Sequence, residues 1–248
     1  SAVNPRQKLV SLLSNGVESR EGTGSVSLSG PAGTVSSPAL LLAPMATITH
    51  AGFRTLVHEF GGCDLYFTEM ISAEALLSGT PYEPYYTCLE PAPSRTIYQI
   101  IGYSPDALVE AALRLARGAG RRRGRADAGA GIGAPDRDLP AGIDINMGCS
   151  APHIVKKGGG VAWMERPEEA FSIVERVREA LPEQTVSAKL RLGLTDDPDR
   201  LVSFCSKLEA CGIDFITLHP KRQKEGSARL ARWEFVDLLR RELSIPVV

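Results

Sequence analysis

The sequence contains no apolar run long enough to cross a bilayer, and its N-terminus lacks the basic-then-apolar order of a secretory signal. It also has no excess of charge, with 28 Lys and Arg against 29 Asp and Glu and a formal net charge of -1. Overall charge therefore does not indicate a nucleic-acid binder, and an RNA surface would need local clusters of basic side chains. We expect no membrane partner and, by default, a cytoplasmic location.

Cysteine is scarce and is not arranged in pairs. The chain has five cysteines, an odd number, and none of them form a Cys-x-x-Cys motif. This pattern argues against a disulfide framework or a structural zinc site, so we expect no metal. Most free cysteines are small buried apolar residues, which makes a cysteine on a catalytic loop the exception to look for.

The composition is that of a folded domain, with 248 residues of which 43% are hydrophobic and 23% charged. A chain of this length can bury a substantial core. Short apolar segments alternate with amphipathic ones, which is typical of βα units and a parallel sheet. The candidate strands are residues 39–43, 65–68, 96–101, 143–146, 186–192, 213–219 and 245–248. The helices between them are predicted at residues 53–60, 105–117, 167–181, 198–211 and 232–243.

Polar or functional residues follow the predicted strands at or just past their carboxyl ends. These residues are Met45, Glu69, Gln99, Asn146, Lys189, Arg191 and His219. Parallel βα units either close into a barrel or wind into an open sheet, and in a barrel the carboxyl ends form one shared active-site face. The repetition at successive strands predicts an α/β fold of the TIM (β/α)8 barrel type.

The domain organisation has three parts. Residues 1–37 are predicted to form a partly flexible N-terminal extension, with a short helix at residues 6–13 and a Gly-, Ser- and Thr-rich loop after it. Residues 38–248 form the catalytic barrel, interrupted at about residues 117–140 by a mobile insertion whose Arg run favours solvated disorder over RNA contact. Since the chain stops within the seventh candidate strand, we expect the barrel to be incomplete.

One segment carries the most specific signal. A strand ends in Asn146, Gly148 allows a sharp turn, Cys149 follows on the loop, and residues 158–160 are three glycines that permit close backbone approach to a ligand. A cysteine at that place can act as a nucleophile, an acid or a base. The segment resembles the Asn-x-Gly-Cys-Pro signature of the tRNA-dihydrouridine synthase family.

Further segments resemble the same family and occur in the family's order. They are residues 43–46 with 52–54, residues 68–73, residues 99–102, residues 188–193, and Leu218-His219 followed by Trp233. The resemblance covers most of residues 39–248. It implies an FMN-binding barrel that reduces uridine in tRNA with NADPH as reductant. Hydride would go from the flavin to C6 of the uracil, and the cysteine would protonate C5.

Cys149 suits the acid role that the resemblance implies. Hydride addition builds negative charge on the C5 side of the ring, and a thiol with its ordinary pKa of about 8.5 is mostly protonated at neutral pH. The target uracil would have to leave its stack to reach a flavin in a barrel mouth. The tRNA is therefore the expected partner, while the modified position and the oligomeric state are not indicated by the sequence.

The resemblance also implies roles for residues around the flavin and the substrate. Lys189 would place positive charge near the N1–O2 side of the flavin, where the reduced form holds negative charge. Asn146 would orient flavin or uracil, and Arg191 would contact the substrate or support a residue that does. The remaining flavin contacts would come from the backbone of Pro44, Met45 and Ala46, from Gln99 at the isoalloxazine edge, and from His219 at the flavin or its ribityl-phosphate.

The chain departs from the family pattern at several positions. Ser150 replaces the proline that follows the catalytic cysteine, which loosens the loop but keeps the thiol. Pro220 and Lys221 stand where the family has Gly and Arg, so the charge is kept but the fork of donors is lost. The family continues into a phosphate-binding end of the barrel and a helical tRNA-binding domain. Two alternatives stay open: an FMN barrel oxidoreductase acting on a free small molecule, like dihydroorotate dehydrogenase, and a flavin-free RNA-binding relative.

Overall fold

The computed structural model describes residues 4–15, 38–118, 139–226 and 228–248. The loop predicted within residues 16–37 and most of the predicted insertion at 117–140 lie outside these ranges. The strands are β1 (Leu41–Leu42), β2 (Leu65–Ser72), β3 (Thr96–Ile101), β4 (Gly142–Met147), β5 (Thr185–Leu190) and β6 (Phe215–Leu218). The helices are α1 (Pro5–Asn15), α2 (Ala51–Glu59), α3 (Ala73–Ser78), α4 (Glu83–Tyr86), α5 (Pro105–Ala116), α6 (Pro152–Val155), α7 (Pro167–Ala180), α8 (Pro198–Ala210) and α9 (Glu234–Glu242). Short 3-10 helices occupy Pro93–Arg95 and Gly160–Glu165.

The six strands form one parallel sheet in the order β1-β2-β3-β4-β5-β6. A doubly wound open sheet reverses its strand order at a switch point, whereas a barrel adds each new strand on the same side. The described strands never reverse, and Val247 continues the series through a parallel bridge to Ile216. The predicted α/β barrel fold is therefore confirmed.

The strands of the sheet have two different faces because side chains alternate along each of them. On β4, Ile143 and Ile145 are fully buried in the large apolar cluster that contains the helices. Asp144 and Asn146 therefore project to the opposite, inner face. The same alternation on β5 places Ser187 inside, so the inner face carries the polar residues of the central strands.

Local sequence signals account for the ends of the outer helices. Ser104 accepts a hydrogen bond from the Ala107 amide and Pro105 opens α5, where a missing amide proton costs nothing. Asp197 caps α8 in the same way by accepting from the Asp199 and Arg200 amides. The predicted helices at 105–117 and 198–211 thus match the observed bounds closely.

Helix α1 covers the amino-terminal end of the inner face. Its Leu9 is buried in a separate apolar cluster with Leu65, Phe67, Ile97 and Phe215. These four partners belong to β2, β3 and β6, so one short helix closes apolar positions from three strands. The predicted helix at residues 6–13 is confirmed and extends over Pro5–Asn15.

Two predicted strands are much shorter than the sequence indicates. Only Leu41 and Leu42 of the predicted segment 39–43 pair with β2, through Leu65 and Tyr66. The segment 245–248 contributes a single bridge at Val247. Apolar character favours extended backbone, but strand length depends on where the neighbouring strand offers partners. In the other direction, β2 continues beyond Thr68 because Met70, Ile71 and Ser72 pair with β3 after a register shift.

Several structural absences hold for the described part of the chain. Within it, no helix is long and apolar enough to cross a membrane. All five cysteines are free thiols. No group of three or more His, Cys, Asp or Glu side chains in the same ranges is placed to hold a metal ion.

Candidate active site

The structure gathers the predicted residues of the central strands on the inner face, toward the carboxyl ends of the strands. Asn146 lies directly opposite Lys189 in the β4–β5 register. The His219 amide donates to the Leu190 carbonyl at 2.9 Å, which holds the residue just past β6 beside the end of β5. Gln99 is buried within β3, two positions before its end, and is joined to Asn146 by a side-chain hydrogen bond.

Cys149 is anchored by a chain of amide side chains. Asn146 accepts hydrogen bonds on Oδ1 from the Cys149 amide at 2.8 Å and from the Gly148 amide at 3.2 Å. Asn146 Nδ2 in turn donates to Gln99 Oε1 at 3.0 Å. Cys149 is partly exposed, whereas Gln99 and Asn146 are buried, so a fixed polar scaffold supports an accessible thiol.

The loop around Cys149 is also fixed by close backbone packing. A side chain at position 148 would meet the backbone of Lys189 and Leu190 at 3.0–3.2 Å, so glycine allows β4 and β5 to stay in contact there. Gly160 has a φ of +59° and its missing side chain leaves room for the Cys149 carbonyl. That carbonyl accepts from the Val161 amide at 3.0 Å. The glycine-rich stretch therefore folds back onto the cysteine.

Asp144 belongs to the site, although the sequence analysis assigned it no role. It is fully buried on β4 and accepts from Gln99 Nε2 at 2.7 Å and from Ser187 Oγ at 2.6 Å. Burial raises the pKa of Asp144 to about 6, while the hydrogen bonds from Ser187 and Gln99 and the charge of Lys189 oppose that rise. The alternation of Ile143 and Ile145 with Asp144 and Asn146 is the signal that could have placed it on the inner face.

Lys189 and Arg191 bring positive charge to the vicinity of the thiol. Burial lowers the pKa of Lys189, and the nearby Arg191 lowers it further, whereas Asp144 and Cys149 raise it. The pKa of Arg191 is also lowered by burial and raised by Cys149 and Glu225. Arg191 Nη1 donates to the Arg222 carbonyl at 3.1 Å, which fixes its guanidinium against the loop that follows β6. Both predicted cations therefore lie near Cys149.

His219 stands in the same cationic environment. Burial lowers the pKa of His219 to about 4, and the positive charges of Arg191, Lys189 and Lys221 act in the same direction. The imidazole is therefore neutral at neutral pH and can offer one donor and one acceptor to a bound group. It therefore adds no positive charge to that of Lys189 and Arg191 under those conditions.

The loop that follows β1 is held by a different set of contacts. The Met45 amide donates to Thr49 Oγ1 at 3.0 Å, and Thr47 adopts a φ of +63°, which is uncommon for a residue with a side chain. The Thr47 amide donates to the buried carboxylate of Glu69 on β2. In the part of the chain that the structure describes, no hydrogen bond joins Pro44, Met45 or Ala46 to the amide chain that supports Cys149.

The inner face near Lys189 retains hydrogen-bonding capacity that the protein does not use. Thr217 lies opposite Lys189 in the β5–β6 register, and its buried hydroxyl has no partner among the described residues. No hydrogen bond or ion pair joins the Lys189 ammonium to another described residue. Buried polar atoms in native proteins are normally paired, with ligand or water where the protein offers no partner. These residues therefore fit the polar edge of a flavin, which presents carbonyl oxygens and ring nitrogens.

Two cavities lie elsewhere on the molecule. One of about 190 Å³ lies beside α3 and α4, and its lining includes Met70 and Tyr82. Another of about 620 Å³ lies beside α1, where Arg6 and Asp214 contribute to its wall. Neither is lined by Cys149 or Lys189, and we place the candidate site by the converging polar side chains because barrel enzymes act at the carboxyl ends of their strands.

The fold and the site define a class: parallel βα barrels with a polar site, built around a loop cysteine, at the carboxyl ends of the strands. The family model described as dihydrouridine synthase (Dus) matches residues 41–120 and 134–248. This match covers most of the chain, and the chain belongs to the dihydrouridine synthase family.

Individual relatives agree with the family match. The chain is 30% identical over 210 residues to a probable tRNA-dihydrouridine synthase 1 of Synechocystis, covering 84% of this chain and 53% of that protein. It is 29% identical over 213 residues to a probable tRNA-dihydrouridine synthase of Aquifex aeolicus, covering 84% and 60%. It is 27% identical over 219 residues to a tRNA-dihydrouridine(16) synthase of Vibrio cholerae, covering 84% and 61%. The chain thus spans roughly half to three fifths of the length of these curated relatives.

Proposed function

We propose that this chain catalyses the reduction of the C5–C6 double bond of a uridine in tRNA, with Cys149 as the proton donor. One observation supports the role of Cys149 above others. Its amide is fixed by Asn146 at the end of β4 while its side chain remains partly exposed beside Lys189 and Arg191. A thiol held in place but accessible can transfer a proton to a base that enters the mouth of the barrel.

FMN is the cofactor we propose, with NADPH as the reductant. When bound, FMN would supply the hydride for uracil reduction. Lys189, with the unpaired Thr217 hydroxyl beside it, would face the electron-rich edge of the ring system. The other proposed contacts come from neutral groups: the backbone of Pro44, Met45 and Ala46, the Gln99 amide and the neutral His219 imidazole.

The proposed division of labour follows from charge. Adding hydride to C6 leaves negative charge toward C5 and the neighbouring carbonyl of the uracil, and cations nearby lower the energy of that charge. Arg191 is placed to do this because it lies near Cys149 and its guanidinium is held by the Arg222 carbonyl. Asn146 orients the loop through two backbone amides, and Cys149 donates the proton that completes the reduction.

The decisive experiment compares the 248-residue chain with its Cys149→Ala and Cys149→Ser variants. Each protein is incubated with FMN, excess FMN is removed, and retained flavin is read from its visible absorption. Dihydrouridine in an unmodified tRNA transcript is then quantified by mass spectrometry after addition of NADPH. We expect all three proteins to retain flavin and the Ala variant to lose activity by about 100-fold or more, as expected for loss of a general acid.

Two additions to this experiment, free pyrimidines as alternative substrates and a tRNA-binding measurement, distinguish the competing functions. Full activity of Cys149→Ala would contradict the assignment of the proton donor. Reduction of free pyrimidines in preference to tRNA would favour a small-molecule oxidoreductase. A wild-type chain that binds tRNA but retains no flavin would identify a flavin-free RNA-binding relative instead.

A further inference from the structure

The hydrogen-bond chain beneath Cys149 has a fixed direction. At its upper end the donors are the backbone amides of Gly148 and Cys149, which cannot accept. Asn146 must therefore turn its oxygen toward them and its Nδ2 toward Gln99. Gln99 must then accept from Asn146 and present its own Nε2 to the next residue, so the lower end of the chain has to be an acceptor.

Asp144 is that acceptor. An ionised carboxylate accepts hydrogen bonds on both oxygens and donates none, so its two contacts at 2.7 Å and 2.6 Å have only one possible direction. A side-chain amide, by contrast, can rotate by half a turn and exchange its donor for its acceptor. With the carboxylate in place, neither Gln99 nor Asn146 can rotate in this way without facing donor with donor or acceptor with acceptor.

Burial of the three side chains also favours this direction of hydrogen bonding. Asp144 is fully buried, Gln99 is 1% exposed and Asn146 is 6% exposed, so water has little access to replace a lost partner. The carboxylate has no cation within hydrogen-bonding distance among the described residues, although the charge of Lys189 acts on it. A structural aspartate is ordinarily paired with a cation, as Asp214 is in this protein. Asp144 instead uses both oxygens on neutral groups that face the site.

We propose that Asp144 is a positioning residue whose buried acceptor oxygen fixes the orientations of the Gln99 and Asn146 amides and thereby holds the backbone of the Cys149 loop. The functional meaning of this role rests on the proposed function of Cys149, but the positioning itself does not. Among the described residues, Asp144 has side-chain hydrogen bonds to Gln99 and Ser187, and it reaches the Cys149 loop through the Gln99 and Asn146 amides.

Amide hydrogen exchange at residues 148 and 149 reads the positioning directly and needs neither flavin nor tRNA. Asp144→Leu removes both acceptor oxygens but keeps a side chain that branches at Cγ and has the same number of non-hydrogen atoms. We expect exchange at these amides to accelerate about five- to tenfold, as for the loss of one hydrogen bond. Asp144→Asn keeps an oxygen for Gln99 and can turn its amide nitrogen to the Ser187 hydroxyl. Exchange in that variant should stay within about twofold of the wild type.

Asp214→Asn is the matched control, because it removes another buried carboxylate, one that is bonded to arginines and not to the amides that support Cys149. It should change exchange at residues 148 and 149 no more than at the core amides of α5 and α7, whereas Asp144→Leu should accelerate exchange at residues 148 and 149 selectively. Unaltered exchange in Asp144→Leu would overturn the proposal. Equal acceleration in Asp144→Leu and Asp144→Asn would also overturn it, since charge rather than the direction of hydrogen bonding would then hold the loop.

A second pair of variants covers the case in which Asp144→Leu does not fold. Gln99→Glu sets two carboxylates against each other, and we expect it to accelerate exchange at residues 148 and 149. Adding Asp144→Asn restores one amide facing one carboxylate, and the carboxylate now at position 99 would again accept from Asn146. The double variant should return exchange to within about twofold of the wild type, and failure of this rescue would contradict the proposal.

These readouts separate the positioning proposal from the proposed function. If Cys149→Ala keeps its activity while Asp144→Leu still accelerates exchange, the catalytic role of the cysteine fails and the positioning role stands. If Cys149→Ala is inactive and exchange is insensitive to Asp144, the reverse holds.

Discussion

Two buried aspartates, Asp214 and Asp144, lie in or beside the sheet, and their carboxylates have opposite kinds of partner. Asp214, just before β6, accepts from Arg6 Nε at 2.7 Å, from Arg178 Nη2 at 2.6 Å and from the Val186 amide at 2.8 Å. Asp144, in the middle of β4, receives only neutral side-chain donors from Gln99 and Ser187. One carboxylate is neutralised by two arginines, while the other lies among neutral amides and a hydroxyl.

This difference shows how one residue type can stabilise the fold at one position, as Asp214 does, and support a functional site at another, as Asp144 does. A buried charge with cations in contact has its desolvation cost offset, and removing one partner leaves the others unpaired. A buried carboxylate without such partners destabilises the fold at neutral pH. Such a group is therefore expected at a functional site. The amino-terminal end of the inner face is instead filled by apolar side chains, which pack against Leu9 of α1.

The largest effect on stability is expected from Asp214→Asn. The change removes the charge that faces Arg6 and Arg178 and should lower the free energy of unfolding by about 2–4 kcal/mol. The upper end of the range for buried pairs is not expected because the Arg6 side chain is 33% exposed and can turn to water. Urea denaturation followed by circular dichroism would measure it. A loss below about 0.5 kcal/mol would show that the ion pairs at this end do not stabilise the fold.

A somewhat smaller effect is expected from Leu9→Ala. Leu9 is 7% exposed and buried against β2, β3 and β6, so its truncation should cost about 2–3 kcal/mol, within the range for large-to-small changes at buried sites. Lys8→Ala on the exposed side of the same helix is the control and should stay within about 0.5 kcal/mol of the wild type. Similar losses in both variants, again measured by urea denaturation, would mean that α1 does not close this end of the barrel by apolar packing.

The smallest effect is a difference in pH dependence between the wild type and Asp144→Asn. The pKa of Asp144 is about 6 in the folded protein, against about 3.9 for an unfolded aspartate, so the folded state binds the proton first as the pH falls. The free energy of unfolding of the wild type should therefore rise by about 1 kcal/mol relative to the variant as the pH falls from about 7.5 to about 5. Parallel stability curves for the two proteins would contradict the raised pKa.

Much of the fold could be predicted because its signals are local. Ser104 and Pro105 mark the start of α5 in sequence, and the apolar segment 96–101 coincides with β3. The lengths of β1 and β2 could not be predicted in the same way, since they depend on which residues of the adjacent strand offer hydrogen bonds. Helices as short as α3 and α4 leave too few residues for a periodic pattern to be visible.

The candidate site was predictable where a motif or a strand end drew attention to a residue. Cys149, Asn146 and Lys189 do come together, and Gln99 joins them from within β3 rather than from its end. The roles assigned to these residues, and to Pro44, Met45, Ala46, Arg191 and His219, remain predictions. Asp144 was missed because it lies inside a strand rather than after it. Its orientation follows from the alternation with Ile143 and Ile145, but its partners depend on the registers of two other strands.

The position of α1 has a consequence for the order in which the protein can assemble during translation. Arg6 meets Asp214 across 208 positions of the chain, so α1 leaves the ribosome long before the residues against which it docks. Until β6 has emerged, α1 lacks Phe215 and Asp214, and its apolar side has only part of its binding surface. Closing so long a loop also costs chain entropy that local βα contacts do not require. Helix α1 should therefore be synthesised well before β6 but secured only after β6 has emerged, with Leu9 exposed to chaperones in the interval.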